Sequence, residues 1–252
     1  MSPSSAAPAE VPPRAQAQGE RAASAWRWAA GVTLAMGLAA RLPWPAAAGT
    51  AVTCVFFAAV WLAVWRRSDE VVRSHGLSLG GLMMYERPPL REMLGAWGRS
   101  LLWALAMSAA VLVPFALLWR PVVTELHWTG LHAFEWRRSW GAWGQAAASQ
   151  LCVVALPEEA LYRGVLQTRF ERSFPRGMPV LGGVITLGNV LTSVVFAVGH
   201  VVTRTDPVHL LVFFPSLLFG WLRTRTKSIE SGMFFHAFCN LLSECLFEGF
   251  LG

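Results

Sequence analysis

In the stretch "VALPEEALYRG" two adjacent glutamates and an arginine, Glu158, Glu159 and Arg163, enter a chain that carries no charge from Ser139 to Pro157. An ionisable side chain within hydrocarbon costs about 3 kcal/mol on insertion scales, so its default reading is functional. On a helix, Glu159 and Arg163 stand four apart with the acid on the amino side, the favourable order for an ion pair. Glu158 is turned about 100° away from that pair and is left to face other groups. Two further clusters lie in apolar segments: "FAVGH", from Phe196 to His200, and "HAFCN", from His236 to Asn240, with Glu244 one turn further on.

A carboxylate, two imidazoles and a carboxamide in a low-dielectric setting are a kit for hydrolysis. A buried glutamate can take a proton from water near neutral pH, and imidazole and carboxamide donors can hold the oxyanion of a tetrahedral intermediate. Two histidines and a glutamate, here Glu158, His200 and His236, are also acceptable zinc ligands. No HExxH helix supports zinc, so the expected cofactor is none, with Zn2+ as the alternative. A histidine alone on an apolar helix is more often a hydrogen-bonded core residue than a catalyst; three clusters together reverse those odds.

The elements that must position these groups are read as membrane helices. Of 252 residues, 54% are hydrophobic and 14% charged, and mean hydropathy is positive. A soluble domain of this length could not hide so much apolar surface. Segments free of charge recur at Leu42–Trp65, Leu101–Trp119, Ser139–Pro157 and Gly177–Gly199, and shorter ones at Trp28–Ala40, Val208–Leu222 and Ser231–Ser243. The expected fold is an all-α, polytopic transmembrane bundle of about seven spans, with six to eight as the range.

Residues 1–25 read as a disordered cytoplasmic tail, 26–75 as a transmembrane hairpin turning at Pro43-Trp44-Pro45, and 76–252 as the core. The broken stretch from His75 to Ser100 is expected to lie on the cytoplasmic surface. The Trp-rich loop after Glu125 is expected at the opposite interface, with His127 and His132 interfacial rather than ligating.

Basic residues gather at 14–27, 66–99, 163–176 and 223–227, against Arg41, Arg120, Arg137, Arg138 and Arg204 on the other side. That asymmetry places the amino terminus in the cytoplasm. The four cysteines show no CxxC spacing and read as buried thiols. Scattered arginine with a single lysine, Lys227, reflects coding bias rather than a nucleic-acid patch.

The set EExxxR, FxxxH and HxxxN, in this order on separate apolar segments, resembles the CPBP family of intramembrane endopeptidases, also called the Abi or CAAX-protease family. The resemblance runs from about Gly76 to Phe247 and includes "SLGGLMMYERPPLREML" and "FFPSLLFGWLRTRTKSIESGMFFHAFCN". It implies a peptide hydrolase acting on membrane-embedded or membrane-anchored proteins. By motif position, Glu158 would act as general base with His200 positioning the water, and His236 and Asn240 would stabilise the oxyanion. Glu159, Arg163 and Phe196 would support them. The Arg-, Ala- and Trp-rich composition suits the inner membrane of a GC-rich bacterium, and within the family the myxosortase-like group, linked to carboxyl-terminal sorting helices, is the expected relation. The alternatives are a non-proteolytic immunity or scaffold protein of the same fold and a proton-coupled transporter. The absence of a visible inverted repeat speaks against the transporter.

This topology sets the three clusters at different depths. Either the fourth span runs on past Arg163 to about Phe170 with Pro157 as a kink, or Pro157 opens a new helix within a protein-lined cavity.

Overall fold

The computed structural model describes residues 13–125 and 130–251. Among these residues seven long helices dominate. Helix α1 (Pro13–Ala39) and α2 (Pro45–Trp65) form the amino-terminal hairpin. Pro45 opens α2 at a position where its missing N–H is no loss. A short α3 (Asp69–Ser74) leads to α4 (Leu90–Glu125), the longest element. A continuous helix, α5, then covers residues 140–173, and a hairpin of β1 (Gly177–Val180) and β2 (Gly183–Thr186) connects it to α6 (Leu187–Arg204). A 3-10 segment, Pro207–Val212, introduces α7 (Phe213–Thr226), and α8 (Glu230–Leu251) closes the chain.

Four helical segments are long and apolar enough to cross a bilayer: Pro45–Trp65, Leu90–Glu125, Leu187–Arg204 and Pro207–Thr226. Their outward faces carry side chains such as Leu117 (73% exposed) and Phe214 (63% exposed), which lipid tolerates and water would not. Of the other three long helices, α1 carries charges in its first half, α5 carries them from Glu158 onward, and α8 holds Glu230, Glu244 and Glu248. The core lies where α5 is enclosed by α2, α6, α7 and α8, with Tyr162, Phe170, Phe196, Phe219 and Phe235 almost fully buried.

Three sequence expectations change. The first twelve residues of the expected tail lie outside the described residues, but from Pro13 the chain is helical and Ala25 is fully buried. Ala, Gln, Glu and Arg are good helix formers, and the composition read as disordered is also a helix composition. His127 lies outside the described residues, whereas His132 is described and donates from Nδ1 to the Ala133 carbonyl at 2.6 Å.

The expected span Gly177–Gly199 begins instead as a β-hairpin, and its helix starts only at Leu187. Leu181 and Gly182 both have positive φ, 46° and 77°, as a two-residue turn of the I′ kind requires. Glycine takes that conformation freely; Leu181 bears strain there. The hairpin is fastened to α7, whose Trp221 indole donates to the Val180 carbonyl (2.8 Å) and whose Thr224 hydroxyl joins the backbone of Val184.

The stretch after His75 does not lie flat on a surface. It plugs one end of the bundle, with His75, Leu77 and Leu79 buried. Its backbone groups are met by the indoles of Trp65 and Trp97, which donate to the carbonyls of Leu77 and Leu79, and by Glu230, which accepts the Gly80 N–H at 2.6 Å.

Candidate active site

Helix α5 carries three of the candidate residues. Its first turn is capped by Ser139, whose hydroxyl accepts the Ala142 N–H. Pro157 has no N–H to give to the preceding turn, and in a regular helix it would cost about 3 kcal/mol. Here the helix continues through two widened, π-helical stretches, Gln150–Ala155 and Ala160–Gln167, which flank the short α-helical segment Leu156–Glu159. Such bulges occur often at functional sites. Of the two ways of bringing the clusters to one depth, the structure takes the first: the helix runs on past Arg163.

Glu159 and Arg163 are fully buried and face one another, Nε to Oε2 at 3.4 Å. The guanidinium also donates to Ser216 Oγ on α7 (2.5 Å) and lies over the rings of Phe196 and Phe219 at 5.5 and 5.9 Å. The other oxygen of Glu159 accepts from His236 Nδ1 at 3.2 Å. Gly232, one turn before His236, permits this approach of α8: a Cβ there would stand 3.0 Å from Glu159 Oε2.

Glu158 faces the other way. Its Oε2 lies 3.9 Å from His200 Nε2 and 3.8 Å from His236 Nε2, and finds no hydrogen-bond donor in the protein. Its side chain is 13% exposed. His200 gives Nδ1 to the Phe196 carbonyl at 3.0 Å, one turn earlier on α6, which directs Nε2 at the carboxylate. Phe196 is the partition between the histidines, in ring contact with His200 (4.4 Å), His236 (5.9 Å) and Tyr162 (4.8 Å). Phe219 stacks on His236 at 4.7 Å with an interplanar angle of 14°.

Glu158, Glu159, Arg163, Phe196, His200 and His236 therefore come together from α5, α6 and α8. Asn240 stands one turn beyond His236, and its immediate partner is Gln150, whose Oε1 accepts from Asn240 Nδ2 at 2.8 Å. Gln150 donates in turn to Glu244, which is also paired with Arg138 at 2.8 Å.

The sequence reading missed Gln150, Ser216 and Phe219. It also missed a buried polar set one turn beyond Arg163. There Gln167 donates to Glu171 and the Gly220 carbonyl, and Asn189 donates to the Leu217 carbonyl, joining α5, α6 and α7. A lone Gln, Ser or Asn within an apolar helix was the available signal.

Glu158, His200 and His236 have the donor chemistry of a zinc site, but among the described residues no group of three or more His, Cys, Asp or Glu is arranged to hold a metal ion.

A family model described as type II CAAX prenyl endopeptidase Rce1-like matches residues 139–242. That range begins at the cap of α5 and includes every candidate residue of the three clusters. No curated protein and no solved structure matches the chain. With its apolar spans, the protein is an integral membrane protein, and residues 139–242 are similar to the Rce1-like type II CAAX prenyl endopeptidases.

Proposed function

We propose that the protein is an intramembrane endopeptidase that hydrolyses a peptide bond near a hydrophobic segment of a membrane protein, with Glu158 as the base that activates water. The observation that carries this reading is the buried Glu158 Oε2, which has no protein donor and is faced by two imidazole Nε2 atoms. A buried acceptor needs a donor, and water between Glu158 and His200 supplies one. With Nδ1–H given to Phe196, neutral His200 presents Nε2 as an acceptor, so Glu158 and His200 can take the two hydrogens of one water molecule and fix its lone pair.

Glu158 removes a proton as the oxygen attacks the carbonyl carbon. The tetrahedral oxyanion is held by Asn240, which has committed one N–H to Gln150 and retains the other. His236 gives Nδ1–H to Glu159, and donates to the oxyanion from Nε2 only as the imidazolium, whose charge the oxyanion balances once Glu158 has taken the proton. The C–N bond then breaks and the Glu158 carboxyl returns its proton to the leaving amine. Arg163 and Glu159 hold the site without touching substrate. Processing of carboxyl-terminal sorting helices, in a bacterial inner membrane with the amino terminus inside, is the specific role proposed.

The test compares membrane-protein termini, by mass spectrometry, in cells carrying wild-type protein or Glu158→Gln at equal abundance. Termini that vanish with the substitution, while detergent melting is unchanged, support the reading and identify substrates. Identical termini overturn it in favour of a non-proteolytic protein of this fold or a proton-coupled carrier.

A further inference from the structure

Two cavities outside the catalytic cluster adjoin one another. One, of about 710 Å³, is walled almost entirely by apolar groups of α4, α7 and the hairpin, among them Met107, Val111, Phe115, Leu181, Leu218 and Trp221. The other, of about 280 Å³, is polar and includes Arg99, Ser100, Arg225, Ser228 and Glu230. Trp103 lines the polar cavity and meets Trp221 of the apolar one edge to face at 6.1 Å. Arg225 lies over the Trp103 ring at 4.4 Å and against the hairpin turn, where a Cβ on Gly182 would stand 2.8 Å from its Nε.

The sequence spacing makes this one amphiphilic groove. On α4, Arg99, Trp103, Met107 and Val111 follow at intervals of four and share a face, passing from cationic through aromatic to aliphatic. On α7, Phe214, Leu218, Trp221 and Arg225 make the same passage with the chain running the other way, so both arginines stand at the same end. From Trp103 to Phe115 the apolar part extends about 18 Å along α4, against about 15 Å for the hydrocarbon of one leaflet.

Among the described residues neither Arg99 nor Arg225 has a carboxylate at ion-pair distance. Glu230 contributes one negative charge to the polar end, but its Oε1 accepts from Gly80 N, and the pocket keeps an excess of one positive charge.

We propose that this groove holds one membrane phospholipid, its acyl chain along α4 and α7 and its phosphate between Arg99 and Arg225. A phosphodiester supplies the single negative charge that the polar end lacks, and arginines between membrane helices bind such headgroups. The site is separate from the hydrolytic centre, although Phe235 and Cys239 of α8 close the groove from the turn that carries His236. Its occupancy is independent of whether Glu158 activates water.

The experiment is native mass spectrometry of the full chain, released from detergent micelles doped with dioleoyl phosphatidylglycerol. Wild type is expected to retain one lipid. Arg99→Gln and Arg225→Gln should each lower the retained fraction about fivefold, the effect of about 1 kcal/mol per arginine. Val111→Trp, which fills the groove and leaves both arginines in place, should lower it as well. Should Arg225→Gln fold poorly through loss of its contact with Trp103, the exposed Arg99 and the half-buried Val111 carry the test. Equal retention by wild type, Arg99→Gln and Val111→Trp overturns the proposal. So does protection by glycerol phosphate as strong as by the lipid, which would mark a site for soluble phosphates.

Discussion

Two clusters in this protein are built from the same groups, an arginine between carboxylates, and they do opposite things. At the loop before α5, Arg138 pairs with Glu244 and Glu248 of α8 and lies over Trp143 at 4.8 Å. Its side chain and both carboxylates remain about a third exposed, so water screens the cluster. In α5, Arg163 and Glu159 are fully buried, and the guanidinium leaves Nε and Nη1 without an aligned acceptor. The exposed cluster is well paired and contributes little. The buried one is imperfectly paired and everything around it depends on its remaining whole, because a charge stranded in a dry interior costs several kcal/mol.

Removal of one partner of the buried pair should have the largest effect. Arg163→Ala is expected to lose about 3–5 kcal/mol and with it most of the folded yield, measured by fluorescence-detected size exclusion and detergent melting. Replacing both partners, Glu159→Leu with Arg163→Met, should recover much of that yield, because it removes both desolvation costs at once. Activity should stay absent in the double variant, since His236 Nδ1 loses its acceptor. A double variant no better folded than Arg163→Ala would break the contrast.

A third polar position, in the plug after α3, should show an intermediate and pH-dependent loss. Burial pushes the His75 imidazole down to about 4; its bond to the Val71 carbonyl acts in the other direction, and the nearby Arg172, Arg169 and Arg223 add to the lowering. The unfolded side chain takes its proton near 6.5, so the folded state holds this contribution in full above pH 6.5 and loses it progressively down to about pH 4. His75→Gln should flatten the fall of the melting temperature across that window, and an unchanged slope would place the titration elsewhere. The smallest effect is expected from Arg138→Gln: at most about 1 kcal/mol, shrinking in added salt. A loss as large as that of Arg163→Ala would show that exposure is the wrong basis for the distinction.

The all-α architecture was legible because uncharged runs need no context to be read as helices in lipid. So was the candidacy of Glu158, His200 and His236, each an ionisable group where hydropathy argues against one, but not their meeting, because the hydropathy topology set them at different depths. The hairpin at 177–186 was hidden because "GMPVLGGVIT" is as apolar as a span, and only Pro179, Gly182 and Gly183 marked the interruption. The plug after α3 was hidden for the converse reason. Its Gly and Pro content signals irregular backbone, but the tryptophan indoles that satisfy that backbone in the interior come from Trp65 and Trp97 on the flanking helices. Asn240 follows His236 by one turn; its bond to Gln150 depends on how α5 and α8 align, which neither segment encodes alone.

The two widened stretches around Pro157 also buffer the azimuth of the carboxylates against a change in chain length. Each π-helical stretch takes up extra chain length in the helix, and loss of one residue from 150–155 could return that stretch to ordinary α-helix without changing any residue of the EExxxR motif. Such a deletion would leave the bearing of Glu158 on the amino-terminal part of α5 nearly unchanged, whereas a deletion in the regular α-helix of 140–149, where no bulge absorbs it, would turn Glu158 by about 100°. The bearing of the base is thus tolerant of length within 150–155 and intolerant of it within 140–149, a contrast that substitution scans never test and single-residue deletions through 140–155 would.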